Sequence, residues 1–300
     1  MMSRLAERFL GAVLVPVIVG ASGACDSVSA QKFAVQHEMT RFTNKADFDA
    51  ATYLFGDLGR RGLCGNSTLQ LVVGGLNNGQ FAERMLQACP GARLAGFEVQ
   101  EDHAQAAAAR LAAFPNVRVY HAGWGEEPGE FVIQVSKKKR GRAREGAHLG
   151  LTLSRGQMSV GKVKVTPLAD WAEEAKVTVV DYLAIDVEGF EGRVIRGLRL
   201  ESNAARFPCF QYELGGTWCG NRHAGEKWGE RDAALHLLEH GYDLYLIGKD
   251  GYLPIHDAST LGWITGERNC RYSSGNILAM NAHARPDIRA IVEARRYVAC

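Results

Sequence analysis

Two acids stand out by type and spacing: Asp186 and Glu188, separated by Val187 and followed by Gly189. Ahead of them lie Val179, Val180, Tyr182, Leu183 and Ile185, a nearly continuous apolar, β-branched stretch that runs through to Val187. Such a run marks a strand buried on both faces of a parallel sheet. Beyond Gly189 the apolar spacing becomes helical, at Val194, Ile195 and Leu198. In open α/β sheets, ligands and chemistry collect just past the carboxyl ends of the strands. Carboxylates there can take a proton from a reacting group, coordinate a divalent cation, or cap the following helix.

Earlier strand ends supply a setting for these acids. Thr68–Val73 predicts a strand that runs into Gly74, Gly75, Leu76, Asn77, Asn78 and Gly79, with a helix over Gln80–Ala88. Glycines let such a turn bend sharply and approach a ligand, and the helix N-terminus attracts negative charge. The turn is neither the G-x-G-x-x-G fingerprint nor a lysine-bearing P-loop. A second strand, Arg93–Glu98, ends on Phe97 and Glu98. An acid about 20 residues beyond a glycine turn is placed to accept from both hydroxyls of a ribose. A third strand, Val117–His121, runs into Ala122, Gly123, Trp124 and Gly125, where an adenine edge could sit. Together these ends predict a nucleoside site.

The elements that must position them alternate strand and helix, which predicts an α/β, Rossmann-like, doubly wound and mostly parallel seven-stranded sheet. Asp102–Ala113 is the second helix. Glu130–Val135 and His148–Leu153 predict strands flanking the run 137–144, which carries six positive charges in eight residues. Without interleaved aromatics, that run reads as a solvated loop rather than a nucleic-acid contact. The pattern resumes with a strand over Val177–Val187, a helix over Glu191–Leu200 and a strand over Pro208–Leu214 that carries Glu213. Then follow a helix over Glu230–His240, strands over Asp243–Ile247 and Gly275–Met280, and a helix over Asp287–Arg296. Between them, Gly215–Arg231 is irregular. Its Trp218, Arg222, His223 and Trp228, with Glu213, could line an acceptor lid, since tryptophan faces suit carbohydrate rings. A packed surface loop pinned by Cys219 is the alternative.

Composition is that of a globular protein, with 46% apolar and 23% charged residues, and a net charge of +2 does not call for a polyanionic partner. At the N-terminus Arg4 and Arg8 precede the apolar Phe9–Ala24, so residues 1–24 read as a signal peptide or an uncleaved signal anchor. Residues 25–67 form a helical lead-in, and 68–300 a single domain. Setting aside Cys25 at the end of the apolar stretch, six cysteines remain, an even number that suits disulfides in an oxidising lumen but permits many pairings. Asn66, Ser67 and Thr68 form a glycosylation sequon. The expected location is the secretory pathway, in the ER or Golgi lumen or on an N-terminal anchor, with a cytoplasmic location as the alternative.

In this order the glycine turn, Phe97-Glu98, the Ala122–Gly125 turn and the Ala184–Glu191 stretch (AIDVEGFE) resemble the FkbM family of S-adenosylmethionine-dependent methyltransferases. The resemblance covers about Thr68–Leu214 and extends less closely to Asn281. It implies a class I methyltransferase fold, S-adenosylmethionine as cofactor, and methyl transfer to a hydroxyl oxygen of a glycan or small hydroxylated molecule. It places Gly74, Gly75, Asn77 and Gly79 along the methionine part of the cofactor, Glu98 at the ribose, and Gly123 and Trp124 at the adenine. Asp186 and Glu188 would face the transferring methyl. No resident metal is expected, although Asp186, Glu188 and Glu213 could together hold a divalent cation. The chain departs from the family pattern at Val72, where an acid is usual, at Leu76, an insertion in the turn, and at Ala184, where lysine is common. Those departures motivate a second reading, an inactive binding or scaffold protein. The glycine spacing speaks against a nicotinamide oxidoreductase. The acceptor is expected to be a small molecule or glycan, not nucleic acid, and any membrane contact to run through the N-terminus alone.

Overall fold

Residues 54–64, 69–136, 147–150, 157–214, 228–248, 251–255 and 275–296 are described by the structure, a computed structural model. In chain order the first elements are Gly56–Arg60 (α1), Gln70–Gly74 (β1), Gln80–Ala88 (α2), Arg93–Glu98 (β2), Glu101–Arg110 (α3) and Val117–His121 (β3). An insertion follows, with Gly123–Trp124 (β4), Gly129–Ser136 (β5), His148–Gly150 (β6) and Gln157–Thr166 (β7). Leu168–Glu174 (α4), Tyr182–Ile185 (β8), Glu191–Gly197 (α5), Leu200–Asn203 (α6) and Cys209–Leu214 (β9) come next. The last are Glu230–Glu239 (α7), Asp243–Ile247 (β10), Tyr252–Ile255 (β11), Gly275–Met280 (β12) and Pro286–Ala294 (α8).

The main sheet has the order β11-β10-β12-β9-β8-β1-β2-β3. Strands β9, β8, β1, β2 and β3 are parallel, and β12 lies antiparallel between β9 and β10. Seven of these strands are the expected ones. The eighth, β11, pairs antiparallel with β10 at the edge, where Pro254 is tolerated because one side of an edge strand needs no donor. Connections leave β1 toward β2 and β3 on one side, whereas β8 and β9 lie on the other. That reversal is the switch point at which open sheets bind ligands.

The pleat sends alternate residues to two cores. Val72, Phe97, Leu183, Ile185 and Tyr212 pack under α4, α5 and α7, through Leu168, Ile195 and Leu237. Leu71, Val73, Leu94, Tyr182 and Ala184 pack against α1, α2 and α8, through Leu58, Met85 and Ile291. Helix α2 shows why: Ala82, Met85 and Leu86 fall on one face and are buried. A third core, with Phe131, Ile133, Val163 and Phe190, lies under the inserted sheet β4-β7-β5-β6.

Three boundaries differ from the sequence pattern. The apolar run before Asp186 is a strand only over Tyr182–Ile185. The Val177 N–H instead closes the end of α4 on the Ala172 carbonyl, at 2.8 Å, and Val179 is 41% exposed. The described strand after the basic run is His148–Gly150, and the long partner of β5 is β7, which the pattern missed. Its buried Val163 and Val165 alternate with exposed Lys162 and Lys164, the signature of a strand wetted on one face. Helix α4 also went unanticipated, being only seven residues long behind Pro167. The basic run, residues 1–53 and the sequon lie outside the described residues. Among those described, no helix is long and apolar enough to cross a membrane.

A disulfide joins Cys64 to Cys89, tying the segment after α1 to the end of α2, and Cys209 is a buried free thiol in β9. Cys25, Cys219, Cys270 and Cys300 lie outside the described residues. The bridge closes a loop of 25 residues. Replacing Cys64 and Cys89 together by serine should lower unfolding free energy in urea by about 3 kcal/mol. An unchanged midpoint would show that the bridge adds nothing.

Candidate active site

Four strand ends meet at the switch point. At the end of β1, the Gly75 and Leu76 N–H groups both donate to the Phe97 carbonyl, at 3.1 and 3.0 Å, so the turn is sewn to β2. Leu76, the residue that reads as an insertion, is buried against Gly96 and plugs the turn into the core. Asn77 then adopts a left-handed conformation (φ 51°) and donates its N–H to Glu98 Oε2 at 2.8 Å. The Gln100 N–H donates to Glu98 Oε1 at 2.9 Å. Each oxygen of this buried carboxylate is therefore fixed by a backbone donor, and each keeps a second lone pair for a ligand hydroxyl.

The two turn glycines are required by the chain itself. A Cβ on Gly75, where φ is +74°, would stand 1.6 Å from the Asp186 carbonyl oxygen. One on Gly74 would stand 2.2 Å from the Trp124 ring. The close approach inferred for a ligand is thus first an approach between β1, β8 and β4. Trp124 in turn packs on Phe97, ring centroids 4.7 Å apart, and its Nε1 is buried without an acceptor among the described residues.

At the end of β8 the Asp186 N–H donates to the Gly74 carbonyl at 3.1 Å, and its side chain is exposed. Glu188 (φ 56°) and Gly189 (φ 93°) are both left-handed. For a glutamate that conformation costs on the order of 1 kcal/mol, strain that collects at functional sites. The turn delivers Glu191 into the protein interior, fully buried in the first turn of α5. Its Oε1 accepts the Val187 N–H at 3.0 Å, and Oε2 has no hydrogen-bond partner among the described residues. Burial above all, then the nearby Asp186 and Glu188 charges, pushes its pKa up to about 8, so the group is neutral at pH 7.

Sequence reasoning gave Glu191 no role, yet the signal was present. It falls three, four and seven residues before Val194, Ile195 and Leu198, on the apolar face of the helix. One carboxylate oxygen each of Asp186, Glu191 and Glu213 lies within 4.8 Å of the others. This is the trio that could hold a divalent cation, with Glu191 in the place expected for Glu188.

These ends border one cleft. Of the predicted residues, Gly74, Gly75, Asn77, Glu98, Gly123, Trp124, Asp186 and Glu188 line it. Gly79, Glu213 and Trp228 do not. Gly79 starts α2 at φ +82°, with Ala107 of α3 3.3 Å from where its Cβ would be, and so serves helix packing. Trp228 lies 4.8 Å from the Arg196 guanidinium and 4.9 Å from the His236 ring. Trp218, Arg222 and His223 lie outside the described residues. The cleft also has lining that sequence reasoning missed: Phe97, Val99, Gln100 and His103, with Val187 and Phe190 beyond β8 and Ala147 and Leu149 from the inserted sheet.

Residues 75–244 match the model of the methyltransferase FkbM domain. The chain belongs to the FkbM family of S-adenosylmethionine-dependent methyltransferases. No curated protein matches it. Among solved structures it is similar to a precorrin-6y C5,15-methyltransferase from Geobacter metallireducens, at 11% identity and a TM-score of 0.38, over 75% of this chain and 86% of that one. A SAM-dependent methyltransferase from Aquifex aeolicus is 12% identical with a TM-score of 0.35, over 78% of this chain and 94% of that one. A Streptococcus thermophilus rRNA methylase is 11% identical with a TM-score of 0.35, over 72% of this chain and 88% of that one.

The residues present in this FkbM domain fit the family's cofactor. Glu98 offers two anchored acceptors that suit the hydroxyls of a ribose, and Trp124 and Asp186 line the same cleft.

Glu191 makes stability depend on pH. Folded, it keeps its proton up to about pH 8; unfolded, it loses it near 4.5. Between those values the folded state binds more protons, so stability falls as pH rises through the window, by a total on the order of 4 kcal/mol. Glu191→Gln, a mimic of the neutral acid, should flatten that slope and exceed the wild type in urea stability above pH about 8. Parallel pH profiles for the two proteins would contradict the buried neutral acid.

Proposed function

We propose that this FkbM domain methylates a hydroxyl oxygen of a glycan or small hydroxylated molecule, with Asp186 as the base. The observation that carries the reading is the placement of an exposed strand-end carboxylate on the same cleft as the anchored Glu98. When bound, S-adenosylmethionine supplies a methyl on a positively charged sulfur that is electrophilic without further activation. The protein's tasks are then to align the acceptor and remove its proton. Glu98 would hold the ribose end of the cofactor, and Asp186 would accept the proton of the acceptor hydroxyl. Glu188, lifted by its left-handed turn, orients the acceptor. Glu191 stays neutral, so it adds no negative charge beside Asp186 and Glu188.

A hydroxyl acceptor is favoured because its high pKa calls for a general base, which Asp186 provides. The Cys64–Cys89 bridge supports a secretory or anchored location, since disulfides persist in oxidising compartments. The cofactor is made in the cytosol, so a luminal enzyme would depend on its import.

With labelled S-adenosylmethionine and a panel of hydroxylated acceptors, Asp186→Asn should lower kcat by about 10²–10⁴-fold while cofactor binding is retained. Full activity in that variant would remove Asp186 from the mechanism. Cofactor binding without turnover on any acceptor would favour the inactive, binding-module reading.

A further inference from the structure

We propose that Glu201, His236 and His240 form a zinc site, remote from the reaction cleft, that clamps α6 to α7. One donor atom from each residue lies within 4.8 Å of the other two, and none of the three lines the cleft. His236 and His240 are four residues apart, on one face of α7 and its C-cap, with ring centroids 4.2 Å apart. Two histidines at this helical spacing present their nitrogens to a shared point. The His240 Nδ1 pairs with the His236 carbonyl at 2.8 Å. That bond places the proton on Nδ1 and leaves Nε2 with its lone pair outward, the backbone-anchored arrangement common to metal-ligating histidines. Glu201 Oε1 lies 3.8 Å from His240 Nε2.

Two imidazoles and one carboxylate suit zinc, with water in the fourth position. Zinc would draw the donors to within about 3.3 Å of one another, a separation set by bonds near 2.0–2.1 Å and tetrahedral geometry. Glu201 can make that movement, since its side chain is 68% exposed. The site also stands at the last turn of α7, the end at which the helix dipole favours a cation.

Occupancy would reach Trp228. Its ring is 4.9 Å from the His236 ring and 4.8 Å from the Arg196 guanidinium, which pairs with Glu126 at 2.9 Å. A metal that fixes His236 therefore stiffens the contact from which α7 departs.

The test is calorimetric titration of the full chain, stripped of metal by chelator and dialysed, with zinc chloride. One equivalent should bind the wild type with a micromolar or tighter Kd, and that binding should vanish in the His236→Ala/His240→Ala double variant. Glu201→Gln, an exposed change that leaves the fold intact, should weaken binding by roughly tenfold or more, which decides the matter if the double variant does not fold. Absence of zinc binding by the wild type, or equal affinity in wild type and Glu201→Gln, would overturn the proposal.

Discussion

The contact between the ends of β1 and β8 sets the geometry of everything around the cleft. Gly74 pairs with Ile185 at the last step of the ladder, and the Asp186 N–H continues the pairing onto the Gly74 carbonyl. One residue on, the Asp186 carbonyl occupies the space where any side chain at residue 75 would begin. Only glycine meets both that contact and the positive φ. Because the same turn is bonded to Phe97 and passes its next N–H to Glu98, the Glu98 carboxylate and the backbone of Asp186 are held by one short piece of backbone. Holding reactants at fixed separation is the larger part of what a methyl-transfer site must do.

Charge is the second constraint. Asp186, Glu188 and Glu191 lie within six residues, and Glu213 joins them from β9. Three or four negative charges at such spacing are unfavourable in a partly dry site. Burial resolves this by keeping Glu191 protonated, while Asp186, the base proposed above, stays exposed. The left-handed Glu188 is what lets the chain drop Glu191 inward so soon after the strand ends.

Much of this arrangement was legible in the chain. Strands β1, β2 and β9 are buried on both faces and so read as apolar runs; the acids and glycines that end β1, β2 and β8 break those runs visibly. Other parts were hidden for physical reasons. Strand β7 is half wet, so its lysines mask it, and β11 contains a proline that an interior strand would exclude. Val177–Val180 has the composition of a strand but spends its backbone bonds elsewhere, on Ala172 and Arg206. Glycine roles were legible as turn geometry but not as partners: nothing in the order of residues says that Trp124 and the Asp186 carbonyl are what Gly74 and Gly75 must avoid. Glu191 was missed because an acid in the first turn of a helix reads as a favourable dipole contact, and only its register with Val194, Ile195 and Leu198 shows that it points inward.

The central claim is that these strand ends form one nucleoside-holding site with Glu98 as its ribose anchor. Calorimetric titration of the full chain with S-adenosylhomocysteine, in parallel with Glu98→Gln, measures this most directly. One equivalent should bind the wild type, and the variant should bind about tenfold or more weakly, the loss expected when a charge-assisted hydrogen bond is removed. No heat of binding to the folded wild type, or equal affinity in the two proteins, would contradict the account.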